Sequence, residues 1–201
     1  MLAGGGSATI APVMTESRAD ASWRVRPEEP ADEAAVDLLV AQAFEGPGVA
    51  SLLRAMRDDH CWIGRSFVAL APGSPGEVVG HVAYTRGWLD APERLVDVLV
   101  LSPLAVSPPL QRRGIGRELV HRSLEALQKR PEPLVFLEGD PAYYGRLGFR
   151  PAVDLGFDRP SERIPEPAFQ VWPLRAPTGG LSGRLVYPDV FWRHDAVGLR
   201  P

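Results

Sequence analysis

The sequence predicts a mixed α/β domain, one sheet with helices on both faces. Three observations carry that prediction. Apolar strand-like runs alternate with segments of helical periodicity along the 201 residues. An apolar run over 95–106 leads through a glycine loop, Gln111-Arg-Arg-Gly-Ile-Gly116, into an amphipathic helix. Two further apolar runs flank the turn Pro72-Gly-Ser-Pro-Gly76 as a hairpin.

Each element follows from local chemistry. Residues 22–27 alternate and predict a first strand. Pro30 then opens a helix with Asp32 and Glu33 in its first turn, which suits the helix dipole. Val36, Leu39, Val40 and Phe44 mark its apolar side, and Gly46-Pro47-Gly48 breaks it. A second helix is expected over 49–57, with Leu52, Leu53 and Met56 apolar. The hairpin strands are expected over 62–71 and 77–88. The Val- and Leu-rich run 95–106 reads as a buried strand, interrupted at Pro103, where a bulge or a loss of pairing is expected. From Ile115 to Arg130, Leu119, Val120, Ser123, Leu124 and Leu127 fall on one arc at about 100° per residue. Charged residues occupy the other arc, and Pro131 ends the helix. Beyond it, a strand over 134–137, a short helix over 141–147 and strands over 152–156 and 169–174 are expected. Gly179-Gly180 and the run 185–192 make the tail.

The glycine loop carries the chemistry. Gly114 and Gly116 remove side chains where the backbone must turn and approach a ligand. The following helix presents unpaired N–H groups and the positive end of its dipole. Arg112 and Arg113 add two positive charges. Together these groups suit a bridging phosphate, most simply a pyrophosphate. A dinucleotide fingerprint would need a third glycine where Leu119 stands, and a P-loop would need Gly-Lys-Ser/Thr. The chain has one lysine, Lys129.

Gln111-x-x-Gly114-x-Gly116, after a strand ending Leu104-Ala105-Val106, resembles motif A of the GCN5-related N-acetyltransferase (GNAT) superfamily. Asp140-Pro-Ala-Tyr-Tyr-Gly-Arg-Leu-Gly-Phe149 resembles its motif B, in which a tyrosine stands four residues before Gly-Phe. Gly80-His-Val-Ala-Tyr84 is a third match. The wording of 139–149, of Ala168-Phe-Gln-Val-Trp172 and of Val186-Tyr-Pro188 resembles the YhbS-like branch in particular. The likeness spans roughly residues 22–192, with the two motifs in order and one helix plus one strand between them.

The resemblance implies a GNAT acyl-CoA N-acyltransferase fold with a central mixed, mostly antiparallel sheet. Gly4-Gly-Gly-Ser7 and the mixed small residues over 1–21 read as a disordered leader, the acetyltransferase domain is expected over 22–175, and 176–201 is expected as a C-terminal extension that completes the sheet or forms an interface. Met14 is an alternative start. The resemblance also implies acetyl-CoA as co-substrate. The backbone of Leu104, Ala105 and Val106 would bond the pantetheine amides, an amide of that strand would polarise the thioester carbonyl, and Gln111, Arg112, Arg113, Gly114, Ile115 and Gly116 would take the pyrophosphate. The expected reaction is direct transfer of acetyl to a primary amine of a small molecule through a tetrahedral intermediate. The alternatives are a catalytically idle acyl-CoA-binding module and a protein amine acetyltransferase.

Acyl transfer needs a deprotonated amine, a place for the oxyanion and a proton for the leaving thiolate. Tyr144 matches the family's general-acid tyrosine. Tyr143, its neighbour, is expected to face elsewhere and pack. A glutamate that some members carry on the motif A strand is replaced here by Val100. Glu138 and His81 are therefore the candidate base or amine-binding residues. Asp97 is read as flanking its strand and Asp140 as a helix cap. Trp62, Trp88, Trp172 and Trp192 are candidates for a cavity wall, although spread tryptophans are more often core anchors.

Composition excludes other classes. The net charge of −3 argues against wholesale nucleic-acid binding. No apolar run is long enough for a membrane span. Cys61 is the only cysteine, so no intrachain disulfide forms; a buried apolar role in a reducing cytoplasm is expected. His60, His121 and His194 lack metal-ligand spacing, and no metal is expected. Dimers are common in the family, so a homodimer is compatible with the resemblance.

Overall fold

The computed structural model describes residues 23–74, 76–174 and 180–198. The expected leader, 1–21, lies outside them. The strands are β1 (Arg24–Pro27), β2 (Trp62–Leu70), β3 (Val78–Asp90), β4 (Leu95–Val106), β5 (Leu134–Glu138), β6 (Arg150–Pro151), β7 (Phe157–Asp158), β8 (Phe169–Pro173) and β9 (Gly183–Val186). The helices are α1 (Glu33–Ala43), α2 (Pro47–Arg57), α3 (Ile115–Leu127), α4 (Pro141–Tyr144) and α5 (Asp189–Arg193).

The strands form one mixed sheet in the order β1-β2-β3-β4-β5-β8-β6, with β9 pairing both β3 and β7. Pairing is antiparallel except for β4 with β5 and β7 with β9. The expected fold class is the one observed. β3 is long enough to serve two partners in succession on one edge: β2 along Val78–Thr85 and β9 along Trp88–Asp90.

Two cores follow from the alternation of strand side chains. One joins Val36, Leu39 and Val40 of α1, Leu52, Leu53 and Met56 of α2, and Val190 and Phe191 of α5 to one face of the sheet. The other joins Ile115, Leu119, Val120, Leu124 and Leu127 of α3 to the opposite face. The arc predicted for α3 is the buried one.

Several boundaries differ from expectation, each for a local reason. Pro30–Asp32 is a 3-10 turn before α1; Asp32 takes a bidentate pair from Arg26 and accepts from the Glu29 amide. Phe44 leaves the apolar face because α1 has ended, and it is 45% exposed. α2 begins at Pro47, whose fixed φ and missing N–H suit a first helical turn. The strand expected over 152–156 is instead a 3-10 turn, Val153–Leu155, flanked by the two-residue strands β6 and β7. Gly156, at φ 82°, turns the chain there.

Candidate functional site

β4 and β5 run together only briefly. Leu99 pairs with Val135 and Val100 with Phe136, and beyond these no β5 partner exists for β4 among the described residues. Between Val82 and Tyr84 of β3 lies one residue, but between the matching Leu104 and Leu101 of β4 lie two, Ser102 and Pro103. This is the bulge expected at Pro103; its peptide with Ser102 is cis. The extra residue reverses the alternation. Before it, Leu99 and Leu101 face the α3 core and Val100 faces the other. After it, Ala105 faces the α1/α2 core, while Leu104 and Val106 turn toward α3.

The splayed strands open onto two cavities. The first, about 380 Å³, is lined by Leu104, Val106, Arg117, Tyr143, Tyr144 and the glycine loop apart from Arg113. Gly114 sits at φ 88° directly before α3, and Arg112 adopts a left-handed φ of 61°, backbone strain of the kind concentrated at functional sites. The Gln111 side-chain amide donates to the Val106 carbonyl at 3.2 Å, tying the loop to the end of β4. A β-carbon added to Gly116 would meet the Tyr143 hydroxyl. The bare first turn of α3 thus lies open to this cavity beside two arginines, Arg112 and Arg117, as an anion site requires.

The second cavity, about 370 Å³, lies between β4, the β5 end, the α1–α2 corner and the C-terminal segment. Phe44, Leu52, Glu138, Tyr187 and Phe191 are among its walls. The two cavities share two lining residues, Leu104 and Tyr144.

Tyr144 is positioned by short-range geometry. The Asp140 side chain caps α4 by accepting from the Ala142 amide at 2.8 Å, as expected for a residue before Pro141. The Tyr144 ring lies against Gly139, which has no side chain to obstruct it. It packs edge-on against Tyr143, centroids 4.9 Å apart, and against Phe149 at 5.7 Å. Burial, with a smaller contribution from Tyr143, raises its phenol well above the ordinary value, so it stays protonated through the neutral range.

Glu138 ends β5. Its carboxylate accepts from the Gly198 amide at 3.1 Å and engages the Tyr187 hydroxyl. Burial raises its pKa; Tyr187, Gly198 and the charge of Arg163 oppose that without cancelling it. A carboxyl raised in this way is a better proton acceptor than a free one.

The remaining predicted residues are placed as follows. Leu104, Val106, Gln111, Arg112, Gly114, Ile115 and Gly116 line the first cavity; Ala105 and Arg113 do not. His81 lines neither cavity. It is fully buried, with Nε2 2.9 Å from Glu28 Oε2, and Arg57 Nη2 holds the other oxygen at 2.8 Å. Asp97 is 3.9 Å from Arg86 on the outer part of β4. None of the tryptophans lines either cavity. Trp172 fills the space over Gly148 and contacts Phe149, and Trp192 lies under Arg163. Cys61 is buried, and burial together with Asp59 pushes its thiol up to about 12.

Sequence reasoning missed Tyr143 as a wall of the first cavity. It expected Tyr143 to face elsewhere, but α4 is one turn long, and both tyrosine rings reach the space above α3. Phe44, Tyr187, Phe191 and Gly198 were missed because they lie far from the motifs in sequence. Among the described residues no group of three or more His, Cys, Asp or Glu is arranged to hold a metal ion, and no helix is long and apolar enough to cross a membrane.

Comparison with known proteins bears on the family and the fold. The family model described as an acetyltransferase (GNAT) domain matches residues 24–152. The uncharacterized N-acetyltransferase YhbS of Escherichia coli K12 is 31% identical over 175 residues, covering 84% of this chain and 98% of that protein. YjhQ of the same organism, also named as an uncharacterized N-acetyltransferase, is 32% identical over 142 residues, 68% of this chain and 75% of that one. The crystal structure of E. coli YhbS in complex with CoA superposes with a TM-score of 0.76 at 30% identity, over 85% of this chain and 92% of that one. A Brucella melitensis GNAT acetyltransferase in complex with acetyl-CoA gives 0.66 at 23% identity, over 85% and 99%, a likeness of fold. The chain belongs to the GNAT acetyltransferase family.

Proposed function

We propose that this protein transfers the acetyl group of acetyl-CoA to a primary amine of a small molecule. The observation that carries this reading is the meeting of two cavities at Leu104 and Tyr144. One opens onto a bare helix N-terminus flanked by arginines; the other ends at a half-buried carboxylate. The first fits a CoA thioester: the glycine loop offers main-chain donors to a pyrophosphate, and the unpaired edge of β4 beyond Val100 offers backbone groups to pantetheine amides. The complex of E. coli YhbS with CoA supports an acyl-CoA as the co-substrate.

When bound, acetyl-CoA supplies the activated acyl group; the protein supplies position and proton transfer. Leu104, Ala105 and Val106 hold the pantetheine arm, and an amide of this strand polarises the thioester carbonyl. Gln111, Arg112, Gly114, Ile115 and Gly116 form the phosphate-binding turn, with Gln111 fixing its shape through Val106; Arg113 lies outside the cavity lining. Glu138 binds the incoming ammonium and accepts one proton from it. The freed nitrogen attacks the carbonyl carbon, and the C–S bond breaks with its electron pair on sulfur. Tyr144 gives its proton to that sulfur and recovers one from the new amide nitrogen. The products are the acetylated amine, the free CoA thiol and one proton. His81 acts outside this chemistry, as part of the buried ion network beneath β2 and β3.

Mixing the purified protein with acetyl-CoA and a panel of amines, while recording thiol release, tests the reading. Amine-dependent release is the expected result. Tight acetyl-CoA binding without turnover on any amine would replace it with an idle acyl-CoA-binding module.

A further inference from the structure

The cavity that receives the acceptor has a division of character along its wall. Phe44, Val49 and Leu52 come from the α1–α2 corner, and Tyr187 and Phe191 come from the C-terminal segment. Among the described residues that line it, Glu138 carries the only full charge. That carboxylate is fixed in direction by the Gly198 amide and the Tyr187 hydroxyl. Phe44 stands at the rim, 45% exposed, a large apolar side chain left on the surface where the cavity wall begins.

These features select among amines. One ammonium can pair with Glu138. A second ammonium on the same molecule would lie against hydrocarbon, where an unpaired charge is costly to bury. The several hydroxyl groups of an amino sugar would find few side-chain partners, because besides Glu138 only Ser102, Tyr144 and Tyr187 are polar side chains of this wall, and Phe44, Val49, Leu52 and Phe191 offer none. The acidic cleft beside α1, with Glu29, Glu33 and Asp58, cannot supply the missing second site, because it shares no lining residue with this cavity. At about 370 Å³ the cavity lies at the small end of ligand pockets. Resting on the transferase reading above, we propose that the acceptor is a monoamine with one positive charge on a compact aryl or branched-alkyl body. The α1–α2 corner and the C-terminal segment set this choice together: the corner supplies Phe44, Val49 and Leu52 of the apolar wall, and the C-terminal segment supplies Phe191 and the two donors that aim Glu138.

The test compares kcat/KM at saturating acetyl-CoA for 2-phenylethylamine, spermidine and kanamycin, with acetyl-CoA binding measured separately by calorimetry. The expected result is a preference of about tenfold or more for 2-phenylethylamine. Phe44→Asp changes an exposed rim position outside the cofactor cavity. It should raise the KM for 2-phenylethylamine, lower its advantage over spermidine by about tenfold, and leave acetyl-CoA affinity as it was. Faster turnover of spermidine or kanamycin by the wild-type protein would overturn the acceptor class while leaving acetyl transfer standing. An unchanged preference in Phe44→Asp would overturn the role of the apolar rim. Acetyl-CoA binding with no turnover of any amine would overturn both this inference and the transferase reading.

Discussion

The hydroxyl of Tyr143 rests on Gly116, so close that a β-carbon at position 116 would stand 2.5 Å from it. The contact joins the first turn of α3 to α4 beside the first cavity, which both line. Gly116→Ala should therefore displace the Tyr143 ring and weaken acetyl-CoA binding by about tenfold, a cost typical of modest overpacking. Removing the hydroxyl makes room, so the double change Gly116→Ala with Tyr143→Phe should recover most of the affinity. Calorimetric titration of CoA reads both. Equal affinity of the single variant and the wild type would show that the contact does not shape the cavity.

Tyr144→Phe removes one oxygen and keeps the ring against Gly139, Tyr143 and Phe149. Loss of a positioned acid costs about 10²–10⁴ in rate. The variant should lose kcat on that scale with acetyl-CoA affinity nearly intact. A kcat within about twofold of wild type would remove Tyr144 from the proton path.

Glu138 predicts a pH profile. Burial raises its carboxyl, and Tyr187, Gly198 and Arg163 partly restore the ionised form. A base works when ionised, so kcat/KM should fall as pH drops through a pKa above the ordinary glutamate value. Tyr187→Phe removes a donor to the carboxylate, so the acid limb should move to higher pH. Glu138→Gln should abolish that limb. An acid limb unmoved by Tyr187→Phe would assign it to another group.

The buried Arg57–Glu28–His81 array predicts acid sensitivity of the fold. Burial alone would raise the Glu28 carboxyl, but bonds and charge from His81, a bond from Ser66 and the charge of Arg57 outweigh it and hold it at about 2. A carboxyl with a lowered folded pKa stabilises the native state above its unfolded value and loses that contribution as pH falls toward the folded one. The window is therefore between pH 4.5 and about 2. The size is on the order of 3 kcal/mol. Glu28→Gln should flatten the stability curve there, read by urea unfolding at stepped pH. A curve as steep as the wild type's would place the acid-labile group elsewhere.

Three parts of the site were legible because their information is local. The turn before α3 is specified by Gly114, Gly116 and the apolar arc that follows, all within a few residues of one another. The cap on α4 was legible in Asp140-Pro141 for the same reason, and the bulge in β4 was legible in a proline inside a strand pattern. The 152–156 segment, Ala-Val-Asp-Leu-Gly, was misread because three apolar residues in so short a stretch do not distinguish a strand from a 3-10 turn. Gly156, the residue that closes the turn, stood inside the predicted strand.

By itself, the sequence determined most of the elements as far as α4, the two family motifs and the glycine turn before α3, since periodicity and backbone freedom act over one or two turns of chain. Only the tertiary structure decided what lines the second cavity. Glu138 takes its surroundings from Tyr187 and Gly198, and Tyr144 faces Phe44 and Phe191 across a cavity that no contiguous segment encloses. The physical reason is desolvation: a carboxylate becomes a base, or a phenyl ring a wall, through what distant segments exclude from water around it.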